Sequence, residues 1–222
     1  MLNNAKVRVS SLGSFGNIGG NMANLFKRTK WAGFAVLAAS LFLLALIGAT
    51  VTVAASPTPT GPAPVDLRSA GNFGVLAGTA VTCTDSTVTG DVGVAPGAAV
   101  TQTNCTISGT VHVGDTVAQQ AYDDFLLAYA DLADDLCDVD LTGQPLAGQS
   151  LTPGVYCFDA AVTETGSVLT LDAQGDPNAV WIFKIGTLGT GALTGTSFSV
   201  VMANGGLPCN VYWWVAEAAT MT

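Results

Sequence analysis

Apolar and polar positions follow a different rhythm in each part of the chain. After the basic residues Lys27, Arg28 and Lys30, the stretch Phe34–Ile47 (FAVLAASLFLLALI) forms a short apolar core, followed by the small residues Val53-Ala54-Ala55. Cations, a short apolar core and a small-residue cleavage site read as a secretory signal peptide over residues 1–55. The uncharged stretch from Trp31 to Val65 is also long enough to cross a bilayer, which keeps a retained signal anchor as the alternative. Residues 56–64 (SPTPTGPAP) form a Pro-rich linker that cannot pack a core. From Val65 to Gly114 the chain alternates short Val- and Thr-rich runs with glycine, a strand-and-corner pattern. Between Thr116 and Leu136 the period changes: Val117, Ala121, Phe125, Ala128, Leu132 and Leu136 recur at spacings of three and four behind Asp115, predicting one helix with an Asp N-cap. Asp123, Asp124, Asp131, Asp134 and Asp135 are assigned to its wet face.

Beyond the helix, sliding the chain against itself so that Ser167 meets Ser197 lays Ser167–Leu171 on Ser197–Val201 and Trp181–Ile185 on Val211–Val215. It also lays Ala173 on Ala203 and Gly175 on Gly205. Each unit holds two strands around a glycine turn and a Thr/Gly-rich third side, the pattern of a triangular β-solenoid. A β-sandwich remains open on pattern alone.

Charge narrows the chemistry. Positions 1–55 carry five basic residues and no acid, whereas the remainder holds Arg68 and Lys184 against sixteen acids, a net charge of about −14. Such a domain has no electrostatic footprint for nucleic acid. With His112 as its one histidine, the chain cannot build a multi-His metal site, and no cofactor or metal is expected. All five cysteines lie in the exported part, where disulfides persist, and no CxxC pair occurs. Short loop closure favours Cys83 with Cys105 and Cys137 with Cys157, leaving Cys209 single; a bridge between Cys157 and Cys209 stays open.

The segments GNFGVLAGTAVT (71–82), VTGDVGVAPG (88–97), DLTGQPLAG (140–148), LTPGVYCF (151–158), LTLDAQGDPNAVWIFKIG (169–186) and PCNVYWWV (208–215) resemble the ice-binding protein family of bacteria, fungi and diatoms. The resemblance implies a mainly β fold: a right-handed, discontinuous three-faced β-solenoid over residues 65–222, with one long helix alongside. It also implies a secreted monomer without cofactor or enzymatic activity, whose partner is the ice surface. Members of that family continue past the AATMT segment, so the domain is read as truncated at its C-terminus.

On this reading the candidate ice-binding side is Thr163, Thr165, Thr187, Thr190, Thr194, Thr220 and Thr222, with Thr190 placed beside Thr220 because the same slide carries one onto the other. Thr suits the task because its hydroxyl bonds water, its methyl orders water and its β-branch fixes χ1. The early strands supply a second candidate face, Thr79, Thr82 and Thr84.

Other motifs take plainer readings. Asp138-Val-Asp140-Leu-Thr142-Gly143 begins like a calcium loop, but Gln149 stands where the closing Glu belongs, so a turn is expected. Residues 172–178 (DAQGDPN) read as a corner, and Asn104-Cys105-Thr106 as a sequon weakened by its cysteine. Trp181, Phe183 and Trp213 share a parity that points to core packing, while Tyr212 and Trp214 face the helix. Two further function classes stay in view: a surface adhesion module on the same scaffold, and a β-helical carbohydrate-active enzyme, for which no carboxylate pair is suitably placed.

Overall fold

A computed structural model describes residues 61–222. The signal peptide expected over 1–55 and most of the 56–64 linker lie outside the described residues. The described part is mainly β, with parallel sheets and a single α-helix.

Two sets of coils flank the helix in sequence. In the first, strands β1 (Phe73–Ala77), β4 (Asp91–Val94) and β7 (Val111–Val113) form one parallel sheet. Strands β2 (Ala80–Thr84) and β5 (Ala99–Thr103) form a second sheet, and β3 (Thr87–Val88) and β6 (Thr106–Ile107) a third. Ala80 pairs with Ala99, Thr87 with Thr106 and Val92 with Val111 at one common offset, whereas β1 pairs with β4 at a shorter one, Val75 with Val92, after an irregularity between Phe73 and Val75. The Cys83–Cys105 disulfide closes it, with Cα atoms 5.8 Å apart.

Helix α1 (Thr116–Asp134) follows, stopping short of the expected Leu136. The Asp115 side chain accepts a hydrogen bond from the Ala118 N–H at 2.8 Å, and His112 Nδ1 lies 2.8 Å from its other oxygen. The face that α1 buries is Ala118, Ala121, Asp124, Ala128 and Leu132, so two expectations need correction. Val117 and Leu136 are exposed, because the helix is wedged against the sheets through its alanines. Asp124 is buried, where its carboxylate accepts both the backbone N–H and the hydroxyl of Ser69, fixing the short 3-10 turn Arg68–Asn72 to the helix.

The second set contains β8 (Val139–Asp140), β10 (Gly154–Phe158), β13 (Trp181–Ile185) and β16 (Val211–Val215) in one parallel sheet. Strands β11 (Val162–Thr165), β14 (Leu193–Thr196) and β17 (Ala219–Met221) form the next sheet, and β9 (Ser150–Leu151), β12 (Val168–Asp172) and β15 (Ser199–Ala203) the last. From β10 onward the chain visits the three in a fixed cycle, from the helix-side sheet to the β11 sheet to the β12 sheet and back.

The repeat is real but not uniform. Trp181–Ile185 pairs with Val211–Val215, as the repeat predicts. Leu169, however, pairs with Val200 instead of Ser199, and Thr194 pairs with Thr220, so the offset differs from sheet to sheet. Corners absorb the difference: residues 173–180 form a longer turn than 204–210, and residues 186–192 a longer one than 216–218. Strands cannot absorb it, because a one-residue slip would turn every inward side chain outward.

Leu169, Leu171, Trp181, Phe183, Ile185 and Leu193 are fully buried, and the Tyr156, Phe183 and Trp213 rings stack on successive coils at 5.5 and 4.2 Å. Strands β10 and β13 are buried on both faces, since Leu132 near the end of α1, together with Val65, packs on the outer one. There Cys157, Lys184 and Trp214 stand in register on three coils and each grips the helix end. Cys157 is bonded to Cys137, Lys184 Nζ donates to the Ala133 and Asp135 carbonyls at 2.8 and 2.6 Å, and Trp214 Nε1 donates to the Tyr129 carbonyl at 3.1 Å. A cation on the last carbonyls of a helix also complements its dipole. Burial pulls the Lys184 pKa down from its ordinary value.

Candidate functional site

Strand β11 alternates Val162 and Glu164 inward with Thr163 and Thr165 outward, and β14 repeats the pattern with Leu193 and Gly195 inward and Thr194 and Thr196 outward. Parallel pairing runs without interruption through Thr163↔Thr194 and Thr165↔Thr196, then Thr194↔Thr220 on β17. Thr222 completes the third coil: its N–H donates to the Gly195 carbonyl, and its hydroxyl lies 3.1 Å from that of Thr196. Six threonines therefore stand in two columns on three coils, spaced about 4.8 Å between strands and about 6.8 Å along each strand.

The array rests on a stiff base. Glu164 is 2% exposed, and its carboxylate accepts the Leu146 N–H at 2.7 Å and the Ser167 hydroxyl at 3.1 Å, tying β11 to the 141–149 loop. On the next coil Gly195 takes the matching inward position, where a Cβ would lie 2.6 Å from Met221 Sδ. Corner geometry keeps the coils in step: Gly166 (φ 59°) and Ser197 (φ 50°) make the same left-handed turn out of the sheet. Their N–H groups donate to the carbonyls of Thr196 and Thr222.

Thr187 and Thr190 fall elsewhere. Both lie on the longer turn 186–192 between β13 and β14, and the Thr187 hydroxyl is committed to the Asp159 carboxylate at 2.5 Å. The neighbour of Thr220 is Thr194, so the expected Thr190–Thr220 adjacency is corrected by the greater length of that turn. Thr196 belongs to the array but escaped the sequence reading. Its signal was the recurrence of Thr-x-Thr at 163–165, 194–196 and 220–222, which a single fixed slide obscures.

In the earlier coils, Thr82 and Thr84 point outward on β2 and pair with Thr101 and Thr103 on β5, while Thr79 lies on the bend before the strand. Thr101 and Thr103 were also missed. The likeness of TCTDSTVTGDVGV (82–94) to TQTNCTISGTVHV (101–113) would have revealed them.

The remaining candidates have structural partners. Asp140 accepts the Thr142 N–H and Asp138 the Val155 N–H, each at 2.8 Å, so this acidic run forms turns, and the Thr142 contacts hold the Asp140 pKa below its ordinary value. Asn104 donates to Asp85 at 2.7 Å, and Asn204 to Asp172 at 2.7 Å, two matching corner braces. The Gln174 N–H and then Asn204 lower the Asp172 pKa. Among the described residues no His, Cys, Asp and Glu cluster could hold a metal ion. Cys209 is exposed and unbridged on the short turn before β16.

Residues 75–222 match the sequence profile of the family described as ice-binding-like. The chain belongs to that family. An ice-binding protein of Nostoc sp. (strain HG1) is 41% identical over 157 residues, covering 70% of this chain and 56% of the relative. The chain thus spans little more than half the length of that protein. One of Flammulina populicola is 33% identical over 207 residues, covering 82% of this chain and 78% of the relative. Among solved structures, an ice-binding protein from an Antarctic biological consortium superposes with a TM-score of 0.67 at 33% identity, with 74% of each chain covered. That of the Antarctic ascomycete Antarctomyces psychrotrophicus gives 0.64 at 33% identity, covering 71% of this chain and 77% of the other.

Proposed function

We propose that this chain is an exported ice-binding domain, a right-handed three-faced β-solenoid that meets the crystal through the sheet of β11, β14 and β17. The observation that carries this reading is the array of Thr163, Thr165, Thr194, Thr196, Thr220 and Thr222 on three coils in unbroken register. Ice offers no charge and no cavity, so recognition depends on holding many weak contacts at once. Each threonine presents a hydroxyl to hydrogen-bond surface water and a methyl against which water orders, and its stiff χ1 leaves little rotamer entropy to lose on contact. Parallel strands over the buried Leu169, Phe183 and Leu193 fix the spacing in advance. The one carboxylate within these three strands, Glu164, is turned inward, so the surface does not hold ionic hydration shells that would compete with an ordered lattice.

Binding of this kind needs no catalytic group, and the proposed role is inhibition of ice growth and recrystallisation outside the cell. The segment 1–55 is proposed as the export signal, removed after Ala55, and the mature chain as a monomer. Thermal hysteresis and ice recrystallisation assays on the purified full chain test the proposal. Crystal growth arrested in a concentration-dependent way supports it, whereas a folded chain with no effect on ice at any concentration points to the adhesion module instead.

A further inference from the structure

We infer that the N-terminal lead-in meets the coils at a pole opposite the Thr sheet, so that a load joined to the N-terminus of the mature domain leaves the threonines free to meet a crystal. The inference rests on the ice-binding reading above and adds how the domain is presented. Gly61 lies close against two turns: a Cβ placed on it would be 2.8 Å from Pro153 Cβ and 3.5 Å from the Val180 carbonyl oxygen. Pro153 follows β9 and precedes β10, and Val180 separates β12 from β13, so both belong to the turn from the β12 sheet back to the helix-side sheet. Each coil makes three turns, and this is the one that does not touch the Thr sheet. From there the chain is clamped down. Val65 packs against the buried cluster of Leu132, Val155, Cys157, Val180 and Ile182, and Ser69 is held by Asp124, so a pull on the linker is taken up on the helix side. The composition of residues 56–64, rich in Pro, suits a spacer between the domain and a load joined ahead of it.

The test places a streptavidin-sized load at each pole of the full chain. One variant carries a biotin-acceptor peptide inserted in the linker after Pro57. The other carries Thr196→Cys, biotinylated through its thiol, in a Cys209→Ser background that removes the exposed native thiol. Both are loaded with streptavidin and offered to slowly growing ice beside the unloaded chain, with circular dichroism confirming the fold. The linker-loaded complex is expected to enter ice as fully as the unloaded chain, and the Thr196-loaded complex to be excluded. Exclusion of the linker-loaded complex while the unloaded chain enters overturns the opposite pole alone. Equal entry of both loaded complexes also overturns it, since the load would then be blind to the pole. An unloaded, folded chain that stays out of the ice removes the ice-binding reading and this inference with it.

Discussion

Replacing Thr194 by Tyr strikes the array at its centre. Thr194 has Thr163 on one flank and Thr220 on the other, with Thr196 next but one along its own strand. Taking about 4.8 Å between strands and about 6.8 Å along them, the six threonines outline a patch of roughly 10 by 7 Å. A tyrosine side chain presents on the order of 150–250 Å² of surface, more than the outlined patch, so a single ring at its centre holds a flat crystal off all six positions. The fold should scarcely notice. Thr194 points away from the core, Tyr is a good strand residue, and surface substitutions of this kind change stability by about 0.5 kcal/mol or less. For a domain of this size that is a Tm shift of roughly 1–2 °C. Thermal hysteresis and recrystallisation inhibition should therefore collapse while the circular dichroism melt stays put. Thr190→Tyr, on the turn 186–192, serves as the contrasting variant and should keep its activity. A folded Thr194→Tyr protein with undiminished activity would falsify the assignment of this sheet, and loss of activity in Thr82→Tyr would then move the contact to β2 and β5.

Three further outcomes test the scaffold. Leu169→Ala empties a fully buried position in the main core and should cost about 2–5 kcal/mol, read as a lower midpoint in denaturant; a shift near zero would contradict the inward assignment of β12. Replacing Cys83 and Cys105 together by Ser opens a link with a sequence separation of 22 and should cost roughly 3 kcal/mol on the loop-entropy estimate, with non-reducing peptide mapping of the parent showing 83–105 and 137–157 pairs; a 157–209 peptide would refute the pairing. Acid should weaken the fold in one direction. The Ala118 N–H and then His112 lower the Asp115 pKa from 3.8, and Ser69 lowers that of Asp124, so each folded-state pKa lies below its unfolded value. That stabilisation is complete above the unfolded value and lost as pH falls through the folded ones, so melting temperatures should drop below about pH 4 and not above it. Stability that rises on acidification would show the sign to be wrong.

The sequence by itself determined whatever depends on neighbours along the chain. Asp115 before a three-and-four period announces the helix, because a cap and an apolar stripe are local properties. Val and Thr alternation announces strands, and the parity of Trp181, Phe183 and Ile185 places them inside, because a strand has two faces. Tertiary structure decided what depends on distances across coils. Turn lengths vary where solvent tolerates them, so the neighbour of Thr220 is set by ladder hydrogen bonds and burial, and counting back by one fixed repeat lands on a turn. The same logic buried Asp124, which composition assigns to water, because Ser69 arrives from far back along the chain with two donors for its carboxylate. It also set Lys184 against the carbonyls that end α1, a contact that no periodicity contains, since it joins a strand to a helix that precedes it by several elements. A flat surface is a property of register between strands, and register is fixed only when the core beneath them closes.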